Sequence, residues 1–329
     1  MTRRVGLVVV VVVASAVVVV GAAATRPSAV TVAAAAAPRV AFTSVPTAPA
    51  RPRVITVGPD GAVWFANYFG SSLGRIGPRG GMRVIRHASM DWPAGIAVGP
   101  DGALWFANCA SIGRVTTGGS VRAFLDPGIE RPQGITAGPD GALWFTNDTT
   151  IARITTLGTV TVFRHPSIDR PVGITAGPDG ALWFTNRDSI GRITPAGRFS
   201  FFRHPSIDRP ATITAAPDGA LWFANAGGGS IGRITTAGAV SAFRHPGIVR
   251  PRGITVGPDR ALWFTSTGND AIGRLTTAGA FAFYRSSAVD GPVGITVGPD
   301  GTVWFANYRG ASIGRARILP AETAASRSR

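Results

Sequence analysis

The sequence predicts an all-β fold, a seven-bladed β-propeller of four-stranded blades whose last blade is closed by the N-terminal strand, and three observations carry that expectation. The dipeptide Trp-Phe recurs in register at Trp64, Trp105, Trp144, Trp183, Trp222, Trp263 and Trp304, at spacings of 39 or 41 residues. A fixed period of about forty residues marks an array of one repeated unit. Each unit holds four short runs of β-prone residues parted by Gly- and Pro-containing turns, which is the content of a propeller blade. The composition agrees: 43 Gly, 25 Pro and only 15% charged residues suit many short strands better than long charged helices. The apolar stripes at i, i+3 and i+4 that helix-pair arrays need are absent.

Taken in chain order, residues 1–24 read as an export signal. Thr2-Arg3-Arg4 precedes an almost unbroken apolar run from Val5 to Val20, and Ala22-Ala23-Ala24 supplies the small residues a signal peptidase requires. Extended through Ala24, the run is also long enough to span a bilayer, so an uncleaved anchor stays open. On either reading the body is secreted or extracytoplasmic. Residues 25–38, rich in Ala, Pro and Val, form a spacer, and residues 39–319 the propeller.

A unit such as 171–203 runs Pro-Val-Gly-Ile-Thr-Ala, then Gly-Pro-Asp-Gly, then Ala-Leu-Trp-Phe-Thr-Asn. A short loop, Ile-Gly-Arg-Ile-Thr, a Pro-Ala-Gly turn and Arg-Phe-Ser-Phe-Phe-Arg complete it. Pro presets φ at such turns and Gly takes the positive φ they need. After Ile318-Leu319-Pro320 the seventh repeat has no fourth strand of its own. Val40-Ala41-Phe42-Thr43-Ser44-Val45-Pro46, ahead of the first repeat, reads like one. It is expected to complete the last blade, which ties the ring shut and covers an exposed strand edge. Residues 320–329 are expected to be a disordered tail.

The charge is unusual in kind. Lys is absent, so all 33 basic residues are Arg against 17 acids, a net charge of +16 carried by guanidinium, which makes forked, planar contacts that Lys cannot. Arg75, Arg114, Arg153, Arg192, Arg233, Arg274 and Arg315 recur once per blade, as do Asp60, Asp101, Asp140, Asp179, Asp218, Asp259 and Asp300. They are expected to make the same structural hydrogen bonds in every blade. A second set forms a positive rim: Arg131, Arg170, Arg209 and Arg250 before Pro, and Arg86, Arg164, Arg203, Arg244 and Arg285 after the fourth strands. A basic belt fits nucleic acid, but the export signal and the periodic, core-type aromatics argue against that partner. An anionic cell-envelope surface is the electrostatic partner expected, for a chain that is monomeric.

The lone Cys109 cannot close an internal disulfide and excludes Cys-rich zinc modules. His87, His165, His204 and His245 each follow Arg at the end of a fourth strand in a different blade, too dispersed to share one ion, and are expected to pack at the surface or at blade junctions. Asp148, Asp188, Asp270 and Glu130 read as solvated loop charges.

The blade wording Gly-Ile-Thr-x-Gly-Pro-Asp-Gly-Ala-Leu-Trp-Phe-Thr-Asn, followed by Ile-Gly-Arg-Ile-Thr, resembles the streptogramin B lyase family, also called virginiamycin B lyase, from about residue 40 to residue 318. The resemblance implies a seven-bladed propeller that linearises a cyclic depsipeptide antibiotic by elimination across its ester bond, with magnesium assisting. It also implies a His after the Pro that opens the first strand of the sixth and seventh repeats, and an acid after Trp-Phe in the seventh. In this sequence those positions hold Arg252, Val293 and Asn307. Neither Arg nor Val abstracts a proton near neutral pH, and an amide is a poor magnesium anchor.

The face carrying the loops after the second strands is the expected binding face, since loops on a rigid scaffold carry binding residues. Its central mouth is expected to be lined by Arg53, Ala94, Gln133, Val172, Ala211, Arg252 and Val293, with a ring of Asn and the variable residues Tyr68, Arg187 and Tyr308. The ligand-binding candidates are Arg53, Gln133, Arg252, Asn67, Asn147, Asn186, Asn307, Tyr68 and Tyr308; the asparagines have the alternative of satisfying backbone groups at strand ends. The function expected is an exported, non-catalytic propeller that binds a small molecule or peptide end, without cofactor or metal. Two alternatives stay open. One is a lyase that confers antibiotic resistance by opening a cyclic depsipeptide ester, the only reading that brings in magnesium. The other is a lactonase-like hydrolase with a metal in the channel.

Overall fold

The computed structural model describes residues 37–47 and 50–320, and the backbone of 9–13 and 16–20. Val40–Leu319 form one compact unit. Apart from it, Val9–Val13 and Ala16–Val20 pair as a two-stranded antiparallel ribbon. The rest of the expected export signal, residues 25–36 of the expected spacer and residues 321–329 of the expected tail lie outside the described residues. No helix among the described residues is long and apolar enough to cross a membrane.

The compact unit is an all-β propeller of seven four-stranded antiparallel sheets. In each of the first six blades the four strands are consecutive in the chain; blade 1, for example, is built from Pro52–Val57, Val63–Asn67, Ser72–Ile76 and Met82–Arg86. Blade 7 takes Pro292–Val297, Val303–Asn307 and Ser312–Ile318 from the end of the chain, and its outer strand is Val40–Pro46. That strand pairs with Ser312–Ile318 along its whole length, from Val40 opposite Ile318 to Pro46 opposite Ser312. The three-plus-one seam is therefore present as expected.

The repeated wording has a physical cause in each blade. The second strands are buried end to end, and Trp64, Trp105, Trp144, Trp183, Trp222 and Trp263 are fully buried between blades together with the Phe that follows each of them. A buried indole N–H needs an acceptor, and the Asp of the Gly-Pro-Asp turn supplies it. Trp183 Nε1 donates to Asp179 Oδ1 at 2.9 Å, while Arg192 Nε donates to Asp179 Oδ2 at 2.6 Å. The same Asp–Trp–Arg triad holds blades 1 to 6. Blade 7 corrects the expectation of identical bonds in all seven. There Thr302 stands where the other blades have Ala, and its hydroxyl donates to Asp300 Oδ2 at 2.8 Å, the oxygen the arginine takes elsewhere. Arg315 turns instead to the seam strand.

The inner strands meet around the axis with little room to spare. A Cβ on Gly173 would press against the Ala211 carbonyl of the next blade, and one on Gly294 against the Arg53 carbonyl. In blade 5 the position is Thr212, whose hydroxyl donates to the Arg252 carbonyl at 2.7 Å. Thr185 and Thr265 hydroxyls likewise donate to the Ala211 and Val293 carbonyls, each at 2.8 Å. The backbone that presents the central residues is thus pinned from blade to blade.

Candidate functional site

The inner strands enclose a central cup of about 210 Å³. Its upper layer is the predicted set: Arg53, Ala94, Gln133, Val172, Ala211, Arg252 and Val293, one from each blade. Two residues further along each inner strand comes isoleucine, in every blade: Ile55, Ile96, Ile135, Ile174, Ile213, Ile254 and Ile295. These seven are only 5–8% exposed. The cup therefore has an apolar floor beneath a rim of two guanidiniums and one amide. Sequence reasoning placed the rim but passed over the isoleucines, which read only as part of the Gly-Ile-Thr repeat.

Electrostatics concentrate on Arg252. It reaches solvent at the mouth, yet partial burial, followed by the like charges of Arg53 and Arg250, lowers its pKa from the ordinary arginine value. Among the described residues no carboxylate forms an ion pair with Arg53 or Arg252. Arg53 instead lies over the ring of Tyr68, 4.8 Å from its centroid.

Tyr68 opens an aromatic cluster at the junction of blades 7, 1 and 2. Its ring is 5.2 Å from Phe69 and 5.3 Å from Trp92, and Phe69 is 6.1 Å from Tyr308. Arg51 stands 5.8 Å over Tyr308. Phe69 and Trp92 are 56% and 48% exposed, which is unusual for such side chains. Tyr68 and Tyr308 were predicted at the mouth; Phe69 and Trp92 were not. The available signal was that Trp92 is the eighth Trp of a chain whose other seven keep a strict period.

The structure does not bring the asparagines to the mouth, which corrects that part of the candidate set. Asn147 is fully buried: Glu130 N–H donates to its Oδ1 at 3.1 Å, and its Nδ2 donates to the Gly128 carbonyl and to Thr150 Oγ1, each at 2.8 Å. Asn186 takes Asp169 N–H and gives to the Ser167 carbonyl and Ser189 Oγ at 2.7, 2.7 and 2.9 Å. Asn307 does the same with Asp290 N–H, the Ala288 carbonyl and Ser312 Oγ at 3.1, 2.8 and 2.9 Å. Asn67, also buried, donates to Ser72 Oγ at 3.1 Å. The amides of Asn147, Asn186 and Asn307 clamp the loop entering each of their blades to its second strand, because buried backbone groups there need partners.

The remaining titratable groups are dispersed. His165 packs 4.7 Å from Phe201 of the next blade, and His245 4.7 Å from Phe283. His87 and His204 each share a 2.8 Å hydrogen bond with a nearby serine hydroxyl. Asp148 pairs with Arg131 at 3.2 Å, and Arg309 bridges Asp290 at 2.8 Å and Asp270. Cys109 is exposed. No group of three His, Cys, Asp or Glu that could hold a metal occurs among the described residues. The rim of the cup does not suit a hard divalent cation either: its polar side chains are Arg53, Arg252 and Gln133, and Asn307 Oδ1 is already engaged.

The profile of the virginiamycin B lyase family matches residues 24–206 and 185–321. No curated protein matches the chain. Among solved structures, a streptogramin B lyase is similar at 33% identity, with 85% of this chain and 98% of that chain covered and a TM-score of 0.79. A catalytically inactive His-to-Ala variant of virginiamycin B lyase from Staphylococcus aureus, with quinupristin, is similar at 33% identity, over 85% of this chain and 100% of that one, with a TM-score of 0.80. Hydrazine synthase of Kuenenia stuttgartiensis, at 18% identity and a TM-score of 0.70 over 85% of this chain and 99% of that chain, shares the fold alone.

Proposed function

The chain belongs to the virginiamycin B lyase family, and we propose that it is an exported, non-catalytic member that binds a small molecule or peptide end in the central cup. The observation that carries this reading is the pair Arg53 and Arg252 at the rim of a seven-isoleucine floor. An apolar tip is desolvated by the isoleucines, while carboxylate or carbonyl oxygens behind it accept from the guanidinium forks. The cup is small, so it takes one apolar group and leaves the rest of the ligand across the face.

An elimination needs a base that takes the proton from the α-carbon while the ester oxygen leaves, as carboxylate, from the neighbouring β-carbon. Arg252 and Val293, the two residues at the positions where the family resemblance places histidines, offer a guanidinium and an isopropyl group. The guanidinium holds its proton even with its pKa lowered by burial, Arg53 and Arg250. Arg252 therefore serves as an oxyanion or carboxylate partner, not as a proton acceptor. Export rests on the basic start, the Val-rich run and the small residues before position 25.

The test uses the full-length chain with quinupristin and magnesium. Because elimination leaves the mass of the macrocycle unchanged, ring opening is followed by chromatographic retention and fragmentation spectra. The expected result is intact macrocycle, together with binding of an N-acetylated dipeptide ending in leucine that weakens about tenfold in Arg252→Ala, the loss of one charge-assisted bond. Opening of quinupristin that disappears in Arg252→Ala would overturn the non-catalytic reading in favour of the lyase.

A further inference from the structure

Beside the cup, on the blade 4 to blade 6 side, a second depression of about 630 Å³ is lined by Arg170, Arg187, Arg209, Arg250 and Arg252. The other lining residues are Val172, Pro210, Ala211, Ala226 and Gly227, so no carboxylate lines it. We propose that this groove is a binding site for a soluble anion carrying two or more linked phosphoryl groups, such as a short polyphosphate chain.

The first support is charge. Arg170, Arg250 and Arg252 have no ion-pair partner among the described residues. Arg187 meets Asp188 only at 4.0 Å and Arg209 meets Asp208 at 3.3 Å, with the four side chains 46–70% exposed. Such surface pairs contribute little and exchange readily. Five guanidiniums in one groove repel one another until an anion of matching charge enters, and linked phosphoryl groups carry that charge more densely than carboxylates do. No aromatic ring lines the groove, so it reads the phosphoryl chain and not a nucleobase.

The second support is the shared backbone conformation of three of the arginines. Arg170, Arg209 and Arg250 sit at φ of 47°, 47° and 48°, in the left-handed region that costs any residue but glycine. Blade 7 shows the unstrained solution at the same pre-proline position, Gly291 at φ 59°. Trp92 and Arg131 adopt the same conformation before Pro93 and Pro132 outside the groove, so the strain belongs to the blade junction, and in blades 4 to 6 it fixes the backbone from which the three groove arginines project.

The third is the opening of the groove. The residue after the clamp asparagine is Tyr68 in blade 1, Arg187 in blade 4 and Tyr308 in blade 7, but in blade 5 it is Ala226, followed by Gly227. A Cβ on Gly227 would collide with the Asp208 carboxylate packed against it. Ala226 puts only a methyl group on the groove wall, and Gly227 makes room for the Asp208 carboxylate behind it. The loops around them are held by backbone bonds, Arg209 N–H to the Arg187 carbonyl and Gly227 N–H to the Asp208 carbonyl, each 3.0 Å, so the site is largely formed before binding.

The groove shares Arg252 with the cup, but the two readings fail separately. Calorimetry of the full-length chain with sodium tripolyphosphate, with orthophosphate as control, tests the groove. Tripolyphosphate is expected to bind about tenfold or more tighter than orthophosphate. The double variant Arg170→Gly, Arg209→Gly is expected to lose at least about tenfold in tripolyphosphate affinity, while its ligand-free Tm is unchanged or higher because strain is relieved. Binding of the leucine dipeptide is expected to persist in that variant. Equal affinity for the two phosphates, or tripolyphosphate binding indifferent to the double variant, overturns the groove while an Arg252-dependent dipeptide leaves the cup standing. Conversely, a wild-type chain that binds tripolyphosphate through Arg170 and Arg209 but ignores the dipeptide retains the groove and loses the cup.

Discussion

Arg315 Nε donates to Thr43 Oγ1 at 3.1 Å, joining residues at opposite ends of the propeller across the seam. In the other six blades the equivalent arginine binds the turn aspartate beneath the indole of its own blade. At the seam the arginine faces Thr43, its direct partner in the strand register, and lies 5.2 Å over Trp304. Blade 7 is the one blade in which the repeated triad has been given up for ring closure, and its Trp304 is also the least buried of the seven, at 9%.

Asp179→Asn and Asp300→Asn should therefore differ in cost. The first removes a carboxylate that accepts from both Trp183 and Arg192 and leaves a partly buried guanidinium without its partner, a loss of about 2 kcal/mol. Asp300 accepts from the Thr302 amide and hydroxyl, at 3.0 and 2.8 Å, with no arginine or indole donor among the described residues, and an amide oxygen replaces it at about 1 kcal/mol or less. Parallel urea unfolding of the two variants measures the difference; equal losses would show that the arginine pairing adds nothing.

Closure by the N-terminal strand makes Phe42 a seam anchor. Its ring lies 6.2 Å from Phe305 in the same blade and 6.3 Å from Tyr284 in blade 6. Phe42 is only half-buried, so Phe42→Ala is expected to cost about 1–2 kcal/mol, below the range for a core phenylalanine. Chemical denaturation reads the loss, and amide exchange should show it first in Ser312–Ile318, the strand that Val40–Pro46 covers.

Most of the fold was legible because each repeated residue answers a local requirement visible in the sequence. Gly at the turns, Asp four residues before Trp, and Arg opposite Trp recur with the period of the blade. The rim residues were legible for the same reason, since topology alone assigns the start of each first strand to the axis. The asparagines stayed open between mouth and clamp because a polar side chain at a strand end looks the same in sequence whether it faces a channel or holds a loop; their bonds to the entering loops decide for the clamp. Trp92 was missed because it departs from the repeat in a single blade; the arginines before Pro read as a positive rim, but their juxtaposition in one groove across blades 4 to 6 is not written in any one unit.

Acid should unfold the propeller through its turn carboxylates. Burial taken alone pushes Asp60, Asp101, Asp140, Asp179, Asp218, Asp259 and Asp300 up, but hydrogen bonds outweigh it and hold every one below the ordinary aspartate value. For six of them the donors are the blade's Trp and Arg; for Asp300 they come from Thr302 and the backbone. A depressed folded pKa contributes stability that is complete above the unfolded value of about 3.9 and is lost as pH falls through the folded values. Thermal unfolding should thus be flat above about pH 5 and fall steeply below about pH 4, and Asp179→Asn should soften the acid limb. An acid limb unchanged in that variant would place the effect elsewhere.

One turn carries strain with no visible return. In six blades the residue after Pro-Asp is Gly at φ between 68° and 76°; in blade 6 it is Arg260 at φ 62°. Arg260 has no ion-pair partner among the described residues, and its N–H bond to the Gly257 carbonyl, 3.0 Å, is one that glycine makes equally well. Arg260→Gly is expected to stabilise the propeller by about 1 kcal/mol, seen as a higher urea midpoint with the slope unchanged. A lower midpoint would mean that the Arg260 side chain contributes more than its backbone costs.

Trp92 should report on the mouth. Seven of the eight tryptophans are at most 9% exposed, whereas Trp92 is 48% exposed, so a water-soluble quencher such as acrylamide should reach one population, and Trp92→Phe should abolish it. The chain of contacts from the rim to this indole is short: Arg53 over Tyr68 at 4.8 Å, then Tyr68 edge-on to Trp92 at 5.3 Å. A ligand that draws Arg53 toward an anionic group over the cup removes its cation from the Tyr68 face, which frees that ring to shift against the indole. Emission should therefore change on titration with the leucine dipeptide in wild type and not in Trp92→Phe. A change that survives in Trp92→Phe would mean that the aromatic cluster and the arginine rim act independently.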